Sequence, residues 1–215
     1  MKSQCSLPWT GIRARSVTAF YYHGLYARDG SATHPDVITD TALVFALRAA
    51  LLGAPAVLRA QPDYKTDLAA LPWRASLLLG EGNSVMAPLR HTIDVVREGG
   101  NQENMQGNMF SGNFKNTFFV HEVEAGAEYT GLLVGPNPFT MLGTNHFVIR
   151  VGVGRLGMLE LTPDDTTAMV ALNAATAKLF RRIVPEAYRI IDTIRVGIAM
   201  PIAEAVAELE QWYEV

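Results

Sequence analysis

Residues 12–22 (IRARSVTAFYY) are rich in β-branched and aromatic side chains. A period of two puts Arg13, Arg15, Val17 and Tyr21 on one face and Ile12, Ala14, Phe20 and Tyr22 on the other, which predicts a first strand. From residue 36 the spacing changes. Ile38, Ala42, Phe45, Ala49 and Leu52 recur at four and three, with Gly53 as a stop and Pro55 beyond it, and this predicts the first helix. Short apolar runs at 74–79, 90–97, 117–123 and 129–134, each bounded by Gly, Pro or Asn, predict strands. Residues 147–153 and 156–161 predict a hairpin-like pair. Thr162-Pro163-Asp164-Asp165 carries the proline and acids of a helix start, and the stripe Met169, Leu172, Thr176, Leu179 and Ile183 predicts a second long helix behind it. Residues 188–199 predict one further strand. Pro201 then opens a last helix over 200–215, with Ile202, Ala205, Leu209 and Trp212 inward and Glu204, Glu208 and Glu210 mostly outward.

This order of elements, joined by many hairpin-length connections, predicts an α+β fold with a mainly antiparallel sheet, as a single domain over 1–215. A ferredoxin-like β-α-β-β-α-β core with an elaborated middle fits it. One stretch does not fit a compact core. Residues 99–116 (GGNQENMQGNMFSGNFKN) have no periodicity and no apolar stripe, and predict a long insertion. Its amides, including Asn108 and Asn113, its rings Phe110 and Phe114, and Lys115 are the side chains that bond to and stack on single-stranded nucleic acid. A plain surface loop is the competing expectation.

With 49% hydrophobic and 18% charged residues among 215, the chain has ample material for a core. No stretch approaches the roughly 20 uninterrupted apolar residues of a spanning helix, and no apolar run of about 7–15 follows the N-terminus, so a cytoplasmic location is expected. The single cysteine, Cys5, removes internal disulfides and cysteine-cluster metal sites from consideration. The net charge of −3 hides a gradient: residues 1–97 carry 10 Lys and Arg against 7 Asp and Glu, and residues 98–215 carry 8 against 14. Arginines make up 14 of the 18 basic residues, a bias toward fixed, bidentate contacts with phosphate that codon usage in a GC-rich genome also produces.

The search for catalytic chemistry returns little. There is no Gly-x-Ser-x-Gly elbow, P-loop or His-Glu-x-x-His, and the five histidines are scattered, so no metal or cofactor is expected. Gly152-Val-Gly154-Arg-Leu-Gly157 matches G-x-G-x-x-G, but a strand-like MLELT follows where a dinucleotide site needs a helix. A glycine turn flanked by Arg150 and Arg155 is a place for amides and guanidinium groups to meet a phosphate, or merely a tight hairpin turn. Tyr21, Tyr22 and His23 admit either an acid/base cluster for metal-free RNA cleavage or an aromatic strand end.

Taken together, the basic and aromatic first strand, His34-Pro35-Asp36, Asp40 to Leu47 (DTALVFAL), Leu71 to Gly80 (LPWRASLLLG), the Gly/Asn-rich stretch and Val148 to Gly157 (VIRVGVGRLG) resemble the Cas five family over most of residues 10–200. These are RAMP-type subunits that cap the five-prime handle of the guide RNA in multi-subunit CRISPR effector complexes, and the compact type IV (Csf) and type I-D (Csc) versions are the most similar. The resemblance implies a ferredoxin-like (RRM-like) core, a thumb at 99–116 and a basic glycine loop at 152–157. It implies RNA contacts from Arg13, Arg15, Tyr21, Tyr22, His23, Arg90, Asn108, Phe110, Asn113, Phe114, Lys115, Arg150, Gly152, Gly154 and Arg155. The implied partners are the guide RNA, a backbone subunit of the Cas seven type, a large or Cas-eight-like subunit, and target DNA through the complex. Most members are non-catalytic; one subtype cleaves precursor RNA, which keeps a metal-independent endoribonuclease as the alternative.

Overall fold

A computed structural model describes residues 7–22, 25–27, 30–53, 63–94 and 115–213. Its main sheet is built around β1 (Trp9–Ser16), where Arg13 and Arg15 are exposed while Ile12, Ala14 and Ser16 are buried. β1 pairs antiparallel with β9 (Glu128–Val134) on one side and β11 (Gly157–Pro163) on the other. β10 (Phe147–Val151) adds outside β11 as the expected hairpin, while β6 (Leu78–Leu79) and then β4 (Val37–Ile38) add outside β9. β5 (Arg74–Ala75) also pairs with β9. A second sheet orders β2 (Leu25–Ala27), β3 (Gly30–Ala32), β8 (Lys115–His121) and β7 (Leu89–Asp94), with β3 and β8 parallel. The fold is α+β and its sheets are mostly antiparallel, as expected. Among the described residues no helix is long and apolar enough to cross a membrane.

Helix α1 (Asp40–Leu51) covers the buried face. Leu43, Val44, Ala46 and Leu47 sit in one core cluster with Ile12, Ala14, Tyr129, Leu133, Ile149 and Leu161. The helix starts at Asp40, four residues after the predicted start, because Val37 and Ile38 are drawn into the sheet and the Thr39 hydroxyl accepts the Ala42 N–H as N-cap. Its end is as predicted, with Gly53 at φ 77° just beyond the last turn. α2 (Tyr64–Ala69) and α3 (Pro138–Leu142) are short, and α5 (Ile202–Gln211) buries Ala205, Val206 and Leu209 with Trp212.

Three expectations need correction. The first strand ends at Ser16, not Tyr22: the Ser16 hydroxyl donates to the Glu124 carbonyl and accepts the Ala127 N–H, closing a turn that stops the ladder with β9. The second helix does not begin near Thr162. Asp164 accepts the Thr166 and Thr167 hydroxyls instead of capping a helix, Met169–Val170 (β12) pairs with Met200–Pro201 (β15), and only α4 (Ala174–Leu179) is helical, capped by Asn173. Residues 188–199 form a hairpin rather than one strand, β13 (Glu186–Ile191) turning at Asp192–Thr193 into β14 (Ile194–Gly197).

The joint between α2, β5 and the C-terminal helix is the Arg74 guanidinium. It is 4% exposed and donates to the carbonyls of Leu68 (3.0 Å), Leu71 (3.0 Å), Trp73 (2.9 Å) and Trp212 (3.3 Å). It also lies over the rings of Phe180, 4.8 Å from the centroid, and Tyr213, 4.2 Å. Arg74→Ala leaves these carbonyls unmet and opens a cavity, so a stability loss of about 3 kcal/mol is expected in urea unfolding. A midpoint unchanged from wild type would show that the carbonyls find other donors.

Candidate nucleic-acid interface

Beyond Ser16 the chain leaves the ladder but stays against β11. Val17 donates its N–H to the Met158 carbonyl, and Phe20 forms an isolated bridge with Val123. Here the glycine turn docks. The Val153 N–H donates to the Tyr21 carbonyl at 2.9 Å. A Cβ on Gly152, which has φ 78°, would lie 3.0 Å from that same oxygen, and one on Gly157 would collide with the Phe20 side chain. Gly152 is therefore required by close approach and backbone conformation together. Residues Val153–Arg155 make a single 3₁₀ turn that includes Gly154.

Two arginines are built into that turn. Arg150 Nε donates to the Arg155 carbonyl at 2.7 Å, which fixes one edge of its guanidinium and leaves its other nitrogens on the exposed side. Arg155 is itself exposed and sits at φ 56°, a left-handed conformation that costs a non-glycine residue about 1–2 kcal/mol. The ladder places Arg13, Arg15 and Arg150 on the same open face, since Arg15 pairs with Glu160 and Glu160 with Val148, two residues before Arg150.

That face is not uniformly basic. Arg15 stands in register between Glu128 and Glu160. Arg13 lies 3.5 Å from the Asp164 carboxylate, with its own side chain 45% exposed. Burial alone would raise the Asp164 carboxyl, but the Thr166 and Thr167 hydroxyls, the Thr166 amide and the Arg13 charge bring it down to about 2. Tyr21 is buried, and burial, with the Glu122 charge, raises its hydroxyl. Burial pushes the Tyr22 hydroxyl up to about 12, only partly offset by the nearby Gly152 amide, which falls short of a well-formed hydrogen bond to it. Arg90 is exposed on β7 opposite the half-exposed Phe119 on β8, in the second sheet and apart from the other arginines. Lys115, at the end of the predicted insertion, opens β8 opposite Asp94. His23, Asn108, Phe110, Asn113 and Phe114 lie outside the described residues. The structure thus brings Tyr21 and Tyr22 together with Gly152–Arg155, and Arg13 and Arg15 onto the same sheet.

Beside this turn lies a feature absent from the sequence-based expectations, a cavity of about 610 Å³. Tyr22 and Val153 line it from the turn side, His34 and Thr41 from the start of α1, Leu179 from α4 and Ile194 from the β13–β14 hairpin. Asn173 holds these walls in place. Its side-chain N–H groups donate to Asp40 Oδ1 (3.0 Å) and the Thr193 carbonyl (3.0 Å), and its Oδ1 accepts the N–H of Ala175 (3.1 Å) and of Arg195 (3.1 Å). Six chain segments contribute, Tyr64 of α2 among them, so no local spacing announces the cavity. Among the described residues no cluster of three or more His, Cys, Asp or Glu is placed to hold a metal ion.

No protein-family model matches this chain, and no curated protein matches it. Among solved structures, a chain of the type III-B Cmr-β complex bound to cognate target RNA and AMPPnP overlays with a TM-score of 0.41 at 10% identity, covering 74% of this chain and 64% of that one. A chain of a type IV-B CRISPR complex overlays with a TM-score of 0.36 at 13% identity, covering 74% and 92%. CRISPR effector complexes are thus among the structural neighbours, in loose overlays, and the chain spans less than two thirds of the type III-B one.

Asp40, buried at the start of α1 against Asn173, yields a pH prediction. Burial raises its carboxyl above 3.8, and the Asn173 amide and Thr176 hydroxyl only partly offset this. The folded chain then binds the proton more tightly than the unfolded one, so this contribution to stability is full below about 3.8 and is lost as pH rises through the folded value. Asp40→Asn removes that loss. Urea midpoints of the variant relative to wild type are expected to rise from pH 4 upward and then level off; a difference constant with pH would mean that Asp40 titrates as in the unfolded chain.

Proposed function

We propose that this chain is a non-catalytic, RNA-binding subunit of a CRISPR ribonucleoprotein effector complex. In this proposal it is of the Cas five type, holds the five-prime handle of the guide RNA and caps the backbone filament. The observation that carries the proposal is the arginine pair of the glycine turn. Arg155 keeps a strained left-handed backbone where glycine would be free of cost, and Arg150 spends one N–H to brace it, so the chain maintains two exposed guanidinium groups at a defined spot. Guanidinium groups presented this way, that of Arg150 held by the Arg155 carbonyl and that of Arg155 carried on the turn, suit phosphate. The resemblance of residues 10–200 to the Cas five family supplies the identity of the RNA.

The sheet supports a ferredoxin-like core. Its run β11-β1-β9-β6 sets the first strand between the last and the third, with the second outside the third, and α1 crosses between the first and second, as in a split β-α-β unit. In this proposal residues 99–116 act as the thumb, the neighbours are a Cas-seven-type backbone subunit and a Cas-eight-like large subunit, target DNA is reached through the complex, and the location is the cytoplasm. Type IV is preferred over type I-D. The endoribonuclease alternative gains nothing from Tyr22, whose buried hydroxyl at about 12 stays protonated at neutral pH and makes a poor base.

Replacing Arg150 and Arg155 together by Ala is expected to weaken binding to guide RNA and to lower the slope of log affinity against log salt by about 0.7 for each phosphate that is no longer neutralised. An unchanged slope would make both arginines structural. His23→Ala is expected to leave the length of co-purifying guide RNA unchanged, whereas removal of an acid/base group costs about 10²–10⁴ in rate. Accumulation of unprocessed precursor would establish the endoribonuclease instead.

A further inference from the structure

We infer that the cavity beside the glycine turn binds a single uncharged nucleobase, taken out of any stack. This rests on the RNA-binding proposal only for where the base comes from; the chemistry of the cavity stands on its own.

Its volume, about 610 Å³, lies within the roughly 300–1,000 Å³ of small-molecule sites. The walls are largely aliphatic, with Leu179, Ile190 and Ile194 on one side. Tyr64 adds a half-exposed ring, which forms a T-shaped pair with Phe45 at 6.2 Å. No Lys or Arg lines the cavity among the described residues. Its one acid, Asp192, is at the rim, 85% exposed and within 3.4 Å of Arg189 and 3.5 Å of Arg195. A phosphate or carboxylate would therefore enter without a cation to meet it.

Two places on the wall keep a donor to spare, while the Thr33 hydroxyl is spent on the Tyr22 carbonyl and that of Thr176 on Asp40. His34 Nδ1 accepts the Asp36 N–H at 3.3 Å, which leaves the ring proton on Nε2. Thr39 Oγ1 accepts the Ala42 N–H and lies 3.1 Å from Thr41 Oγ1, so one hydroxyl proton bridges the pair and the other is left to donate. Neutral donors between flat apolar walls and an aromatic ring ask for a planar ligand with ring-nitrogen or carbonyl acceptors, and that is the nucleobase class. A purely aliphatic side chain would strand the donors. Val153 joins the cavity to the turn that carries Arg155, so a strand held there has its bases within reach of the mouth.

The test titrates the full chain with adenosine, guanosine, cytidine and uridine and with their 5′-monophosphates, by calorimetry and thermal shift. At least one nucleoside is expected to bind, with its monophosphate no more than about threefold tighter, since no cation awaits the phosphate. Ala175→Trp, a half-buried wall position on α4, is expected to weaken binding at least about tenfold by filling the space. His34→Phe, which removes the Nε2–H donor and keeps a planar ring, is expected to weaken it severalfold and serves if the tryptophan variant fails to fold.

No nucleoside binding up to about 1 mM overturns the inference, as does equal affinity in both folded variants or a monophosphate more than about tenfold tighter than its nucleoside. A single-stranded RNA carrying one 2-aminopurine separates the sources. A fluorescence change on binding that free nucleoside reverses assigns the base to RNA. RNA bound while nucleoside is not sinks this inference and leaves the RNA-binding proposal intact. Nucleoside bound while RNA is not supports the cavity with a free nucleoside as its ligand, and overturns the RNA-binding proposal instead.

Discussion

A charged group buried without a carboxylate has to be met by dipoles, and Arg74 is met almost entirely by main-chain carbonyls. Those of Leu68 and Leu71 close α2, and that of Trp212 closes the C-terminal helix, so one guanidinium collects the negative ends of two helices. Burial lowers its pKa. The rings of Phe180 and Tyr213 cover its faces, and the Phe180 ring stacks on Trp212 at 5.5 Å. The sheet, α4 and the last helix thereby share one fixed point. Tyr213 reinforces it with its single hydroxyl proton, which lies between the carbonyls of Pro72 (2.8 Å) and Val134 (2.9 Å).

From that point the constraint reaches the site through α4. Arg181, at φ 57°, ends the helix in a left-handed residue, and Arg182 turns back to grip Glu208 with two hydrogen bonds of 2.9 and 2.8 Å. The opposite end of α4 is Asn173, whose four hydrogen bonds join α1, the hairpin tip and the helix start. An amide with every donor and acceptor used in a buried setting has one geometry available. Three walls of the cavity, the start of α1, the hairpin tip and the start of α4, are therefore tied to one another, which is part of the preorganisation that a selective site needs.

How much of this the sequence declares depends on the range of the forces involved. The strands read at 129–134, 147–153 and 156–161, which form as Glu128–Val134, Phe147–Val151 and Gly157–Pro163, were legible because alternation is local and each run is bounded by turn residues. The stretch 162–173 was not. A proline followed by two acids starts a helix when the acids face free N–H groups, and ends a strand when the acid is captured by Thr166, Thr167 and Arg13; the choice is made by the pairing of Met169–Val170 with a strand 31 residues later. The arginines of the open face were legible as an alternating set. Their neighbourhood with the glycine turn was not, because the Val153–Tyr21 hydrogen bond joins residues 132 apart. The cavity was beyond sequence reasoning altogether, for it is assembled from six segments that are brought together only by the fold.

The acidic second half of the chain poses an electrostatic objection to an RNA-binding role, and the positions of the acids answer much of it. Asp164 is closed off by two threonines and Arg13. Glu208 is held by Arg182 and by the Trp212 indole, and Glu210, expected to face outward, accepts the Leu7 N–H at 2.6 Å. Glu186 and Asp192 are tied into pairs with Arg189 and Arg195 on the hairpin. Carboxylates engaged in this way project little field at a distance, since each is compensated within a few ångströms and the remainder is screened over about 8–10 Å at physiological salt. The acids that do bear on the open face are Glu128 and Glu160, which flank Arg15. Arg15 is thus partly neutralised where it stands, while Arg150 and Arg155 point from a turn in which Arg150 is braced by a carbonyl rather than a carboxylate. Affinity for a phosphate should concentrate at that turn rather than spread over the sheet, so net charge says less about such a partner than the placement of two side chains.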